Sequence, residues 1–168
     1  MVSSKNIPAK RSSITFLQIA ILLLAIGTII LMLWEPHLEG RNVNASLFEI
    51  YFNDPFLVYA YIASLPFFVA LYQAFILLGY IRNNNVFSQA AINNLRTIKY
   101  CAIILIGFIL GAEAYFFIVT RGQDDIAGGV MLGLGMIFLS FVLAVTSAVF
   151  ETILRRAVDI KSENNLTV

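Results

Sequence analysis

The sequence predicts an all-α protein, an integral membrane four-helix bundle with both termini in the cytoplasm. Three observations carry that expectation. Of the 168 residues, 60% are hydrophobic and only 12% charged, against roughly 45–50% and about 25% in soluble domains. Four stretches are long and apolar enough to cross a bilayer. Nine of the eleven lysines and arginines fall on one side of those stretches when the connections are assigned to alternate faces. So little charge cannot cover a water-soluble globule, which excludes a soluble enzyme, a domain that binds nucleic acid directly and a disordered chain.

A span needs about 20 apolar residues, because each helical residue rises about 1.5 Å across roughly 30 Å of hydrocarbon. The first run, 14–34, carries no Asp, Glu, Lys or Arg. Its basic lead-in resembles a signal peptide, but 21 uncharged residues exceed an ordinary h-region and no small-x-small site follows Trp34. It is expected to stay as a helix. The second run, 56–81, is also free of charge, begins after Pro55 and contains Pro66. Pro66 is expected to kink it and to free a carbonyl that Ser64 or a neighbouring helix satisfies. The third run, 100–120, contains one ionisable carboxyl, Glu113, and the fourth, 126–150, contains none. About five residues, 121–125, join these last two, which implies an antiparallel hairpin. None of the runs alternates as a barrel strand would, and helices satisfy their own backbone hydrogen bonds in lipid. Trp34 and Tyr100 fall at expected interfaces, where amphipathic rings are favoured.

Orientation follows from the basic residues. Lys5, Lys10, Arg11, Arg82, Arg96, Lys99, Arg155, Arg156 and Lys161 share one side, and only Arg41 and Arg121 stand on the other, among six acidic residues. The first group marks the cytoplasmic face of the membrane. The third helix is expected to start in the cytoplasm near Ser88, a good N-cap, with Phe87 stapled onto Ile92 and with Ala91, Ile92, Leu95 and Ile98 along one side. The fourth is expected to continue beyond Phe150, with Glu151 and Arg155 forming an i,i+4 pair. These two extensions, through Phe87, Ser88, Leu95, Arg155, Arg156 and Leu166, form the candidate surface for a cytosolic partner; the competing reading is a pair of interfacial anchors.

Chemistry-bearing residues are few. Cys101 is the single cysteine and His37 the single histidine, so there is no disulfide, no metal set and no cofactor motif. A carboxyl in hydrocarbon faces the bundle, pairs or stays protonated, which makes Glu113 the candidate intramembrane functional acid. Its plainer roles are a reach to water or to Arg121, or one interhelical hydrogen bond. Gly107 and Gly111 in the third span, and Gly129 and Gly133 in the fourth, form two GxxxG stripes expected to pack the hairpin together. Glu113 lies about 200° from Gly111 at 100° per residue, facing away from the first stripe and towards a second contact, within the bundle or with another copy.

The segment Val86-Phe87-Ser88, followed by Ala91, Leu95 and Ile98 leading into the third span, resembles the signature of the YoaS-like family of small bacterial membrane proteins. The close of the chain, Glu163-Asn164-Asn165-Leu166-Thr167-Val168, is similar to that family's ending, with Asn165 in place of its usual Asp and Val168 in place of its usual Ile. The resemblance implies four transmembrane helices, no known catalysis and frequent genetic neighbourhood with a small helix-turn-helix regulator. The expected function is therefore a non-enzymatic regulatory or interaction module in the lipid bilayer that binds such a regulator. The alternative is a small transporter or channel subunit that uses Glu113, acting as a homo-oligomer.

Overall fold

The computed structural model describes residues 6–34, 46, 48, 55–119 and 127–166. Four helices make up the fold: α1 (Asn6–Trp34), α2 (Pro55–Arg82), α3 (Gln89–Val119) and α4 (Ala127–Leu166). All four are long and apolar enough to cross a membrane. Each covers one of the expected runs, α3 and α4 to within one residue at 120 and 126, which lie outside the described residues, and three of them extend well beyond it. α1 begins ahead of Ile14, α3 begins about three turns ahead of Tyr100 and α4 continues past Phe150. With 40 residues, α4 is about 60 Å long, twice the roughly 30 Å of hydrocarbon it has to cross. The expected connection at 121–125, and most of the loop between α1 and α2 with its 47–52 stretch, lie outside the described residues.

The link between α2 and α3 is short and fully capped. Asn84 takes the left-handed conformation with φ of 55°, which Asn tolerates better than other non-glycine residues. Around it, Asn85 N donates to Tyr80 O at 2.9 Å and Asn84 N to Ile81 O at 3.3 Å, the paired bonds of a Schellman C-cap. Three residues later Ser88 caps α3, its Oγ accepting from Ala91 N at 3.3 Å and donating to Asn85 O at 2.9 Å. The expected N-cap is thus present. The expected staple is not formed by Phe87, which is 55% exposed; Val86 instead packs on the cluster containing Ile92.

The helices pack in chain order: α1 on α2, α2 on α3, α3 on α4. They form an open row in which α1 and α4 are not principal neighbours, rather than the closed ring a four-helix bundle suggests. The reason lies in what each helix offers its neighbour. α1 is apolar on every face and ties to α2 through two side chains, Gln18 Nε2 donating to Phe75 O (3.3 Å) and Tyr61 Oη donating to Met32 O (3.0 Å). α2 meets α3 through Tyr59 Oη, which donates to Phe108 O at 2.6 Å, and through the Phe56 ring against Tyr115 and Phe116. α3 and α4 share the most extensive seam. Buried small residues line it, Ala102 on α3 and Ala144 and Ser147 on α4, and such residues let backbones approach closely where no water drives association. At one end of the seam Ala91, Ile92, Leu95 and Leu154 form a buried cluster, with Leu77, Tyr80, Val86 and Val158 packed around it.

Pro66 sits inside α2, which runs unbroken from Pro55 to Arg82. Ser64 Oγ donates to Tyr61 O at 2.7 Å. It therefore serves the carbonyl one residue before Ile62, whose oxygen is the one Pro66 deprives of its usual donor.

The caps give a direct expectation. Ser88→Ala should lower unfolding stability in detergent by about 1 kcal/mol, while Asn84→Gly should leave the melting temperature unchanged or slightly raised. Thermal melts followed by circular dichroism check both.

Candidate functional site

The candidate site stands where the apolar runs of α3 and α4 end on the same level. Lys99 immediately precedes the third run and Glu151 immediately follows the fourth, so an antiparallel hairpin brings them face to face. Glu151 is buried, and both of its oxygens are occupied. Its Oε1 accepts from Arg96 Nε at 2.9 Å and from Arg155 Nη2 at 3.2 Å, and its Oε2 accepts from Lys99 Nζ at 2.7 Å. Lys99 Nζ also stands 5.0 Å from the centre of the Tyr100 ring, within cation–π range. Hydrogen bonding from Lys99, supported by Arg96 and Arg155, outweighs desolvation and holds the Glu151 carboxyl well below its ordinary 4.5, at about 2.

The sequence finds the Glu151–Arg155 pair and treats Arg96 and Lys99 as separate anchors. Their convergence on Glu151 spans 52 and 55 residues and escapes local reading. The available signal was the one acidic residue adjoining the end of a span on an otherwise basic face.

The buried cluster and this carboxylate fuse the start of α3 to the continuation of α4. That fusion sorts the expected partner-binding residues. Leu95 is 7% exposed and belongs to the cluster between the helices, so it holds the two segments together and offers nothing to a partner. Ser88 is occupied as a cap. Arg155 is half-exposed while bonded to Glu151, and Arg156 and Phe87 are exposed. Leu166 closes α4, its side chain and residues 167–168 lying outside the described set. On α4, Ile153 (54%) and Ile160 (60%) are exposed and, seven residues apart, share one face.

At the opposite half of the seam, Glu113 of α3 is buried and laid against Gly133 of α4, where an added Cβ would collide with its carboxyl. Its Oε2 has no hydrogen-bond partner among the described residues, and the Arg121 considered as its partner lies outside them. The two glycine stripes do not mate with each other. Gly111 faces the Tyr59 hydroxyl of α2, Gly107 faces open space, Gly129 faces the Phe116 ring at a distance that would admit a Cβ, and Gly133 receives Glu113. At 100° per residue Gly111 and Glu113 lie on opposite sides of α3, so α2 takes one side and α4 the other. Beside Tyr59 and Gly111 lies a cavity of about 320 Å³ that Pro55, Phe56, Ala112 and Tyr115 complete. Among the described residues no group of three or more His, Cys, Asp or Glu side chains could hold a metal ion.

Comparison with known proteins agrees with this architecture. Residues 45–168 match the family described as protein of unknown function DUF2975. Over 160 residues the chain is 40% identical to the uncharacterized membrane protein YoaS of Bacillus subtilis, covering 94% of this chain and 99% of that protein. The chain belongs to the DUF2975 family. The expected resemblance is thereby met, and this DUF2975 member is a multi-pass membrane protein with four helices able to span the bilayer. No solved structure matches it.

Glu151 makes a pH expectation with a definite sign. Its carboxyl is depressed on folding, so its contribution is fully present above about 4.5 and is lost as pH falls towards about 2. Glu151→Gln should cost about 2 kcal/mol at pH 7, because three cations lose their shared anion at the edge of a low-dielectric region. The variant should also lack the part of the acid-induced loss of stability that wild type shows between those values. Melting temperatures of both proteins from pH 7 to pH 2 check this.

Proposed function

We propose that this protein is a non-enzymatic membrane module whose basic end faces the cytoplasm and offers the joined ends of α3 and α4 to a cytosolic protein. One observation carries the reading. Ile160 is 60% exposed at a point ten residues, or about 15 Å, beyond Phe150, where the fourth apolar run ends, on a segment joined to α3 through Glu151. An apolar side chain that far from hydrocarbon gains nothing from lipid, and fixed exposed apolar surface marks an interaction site. Phe87, 55% exposed beside the α3 cap, is a second apolar side chain offered at this end of the hairpin, and the exposed Arg156 adds charge. The orientation rests on the nine-to-two division of basic residues. The partner class follows the family resemblance: a small helix-turn-helix regulator, held at the membrane and away from DNA.

With detergent-solubilised protein as bait and the purified neighbouring regulator as prey, Ile160→Asp or removal of residues 157–168 should reduce capture at least tenfold. Equal capture by all baits, or none by wild type, would overturn the reading.

A second reading has its own support in Glu113. A buried carboxyl oxygen without a donor among the described residues is costly in hydrocarbon, and such groups are retained where protons or cations pass. On this reading the protein conducts or couples a cation through the α3–α4 seam. Glu113→Gln in proteoliposomes should then abolish proton or cation flux, and flux equal to wild type, or absent from wild type, removes the role.

A further inference from the structure

The Glu151 cluster is under-neutralised. Arg96, Lys99 and Arg155 bring three positive charges to one carboxylate, leaving a net charge of two at the mouth of the α3–α4 seam. Asp159, one turn beyond Arg155 on α4, is exposed and forms no ion pair among the described residues. Two unbalanced charges would be unremarkable in water. Here they stand at Lys99 and Glu151, the residues that bound the apolar runs, and within about one turn beyond them, at the depth where lipid headgroups begin. Like charges crowded at the edge of a low dielectric repel one another strongly, and the environment at that depth supplies the missing anion.

The geometry of the donors matches a particular anion. Arg96 binds Glu151 through Nε alone, and Arg155 through one Nη2 contact. The remaining guanidinium N–H groups have no partner among the described residues, and the two side chains are 39% and 50% exposed. Each guanidinium thus offers unused donors outward, a planar fork suited to two oxygens of one phosphate. Lys99, only 22% exposed, adds a point charge behind them. Tyr100 follows at once, 54% exposed at the start of the third run, where its ring can lie along the glycerol and upper acyl region of a lipid.

From these features we infer that Arg96, Lys99 and Arg155, organised by Glu151, form a binding site for the phosphodiester headgroup of an anionic phospholipid. Glu151 serves as the organiser: it spaces the two guanidinium groups and leaves their outer edges available. A zwitterionic lipid presents the same phosphate but brings its own cation, and so gains less from a site of net charge two. The inference is independent of the protein partner proposed above, since it involves the membrane edge of α3 and α4 and not Ile160 or Phe87.

The test is a lipid titration of the full-length protein in neutral detergent, read by native mass spectrometry. The probes are dioleoyl phosphatidylglycerol and dioleoyl phosphatidylcholine. Wild type should bind phosphatidylglycerol about tenfold more tightly. Arg155→Gln, which leaves Glu151 with Arg96 and Lys99, should lose about fivefold on phosphatidylglycerol, the worth of one basic side chain at a membrane surface, with phosphatidylcholine unchanged. Arg155→Lys, which keeps the charge and loses the planar fork, should fall between wild type and Arg155→Gln. Arg82→Gln, an exposed arginine at the same end but outside the cluster, should bind as wild type does. Equal binding of the two lipids by wild type overturns the inference. So does an equal loss in Arg82→Gln and Arg155→Gln, which would assign the preference to diffuse charge. Displacement of phosphatidylglycerol by millimolar inorganic phosphate would assign the site to a free anion and overturn it as a lipid site.

Discussion

The arrangement depends on what a charged group can do at the edge of hydrocarbon. Within the bilayer the backbone must bond to itself and charge must leave, which yields helices with their ionisable residues at the ends. At one end of this protein that rule collects cations, and Glu151 turns the collection into structure. By accepting from Arg96 and Lys99 on one helix and Arg155 on its own, it fixes how far α3 and α4 slide past each other. The small residues along the seam then permit close approach at that register, and the cluster of Ala91, Ile92, Leu95 and Leu154 closes its outer end. Hydrophobicity alone supplies no such register, because lipid tails are as apolar as leucine.

The rest of the fold is attached to this hairpin with decreasing firmness. α2 is joined by a six-residue link capped at both ends and by aromatic contacts at its far end. α1 is tied to α2 by the Gln18 and Tyr61 hydrogen bonds and presents much apolar surface, with Leu23 at 65% and Leu31 at 67% exposed. Such exposure would be an aggregation hazard in water and is ordinary solvation in lipid. The open row therefore has a firm edge at α3–α4 and a looser one at α1. The features with chemical content, Glu151 and Glu113, both lie in the firm seam.

Much of this was legible in the sequence, and the divide between what was and was not is physical. Span number and approximate position follow from composition and length, since each helix satisfies its own backbone and needs no tertiary information. The Ser88 cap and the Glu151–Arg155 pair are local, within four residues, and were readable for that reason. Tertiary pairing was not. The two GxxxG stripes look alike, yet Gly111 faces Tyr59 and Gly133 faces Glu113, because a third helix competes for the first stripe. Leu95 looked like available surface because a one-sided apolar pattern cannot say whether its neighbour is solvent, lipid or α4. The convergence of Arg96 and Lys99 on Glu151 needed the hairpin register, which only packing supplies.

That convergence also has a consequence in time. Lys99 and Glu151 are 52 residues apart, and a bacterial ribosome adding about 5–20 residues each second needs roughly 3–10 s to get from one to the other. Throughout that interval Arg96 and Lys99 exist without the carboxylate that pairs them in the folded protein. With the basic end facing the cytoplasm, as proposed, such cations favour the side of the membrane on which the chain is made. Only when the last span has been threaded does the carboxylate arrive and convert a temporary retention signal into a permanent joint, so one pair of residues serves first insertion and then architecture.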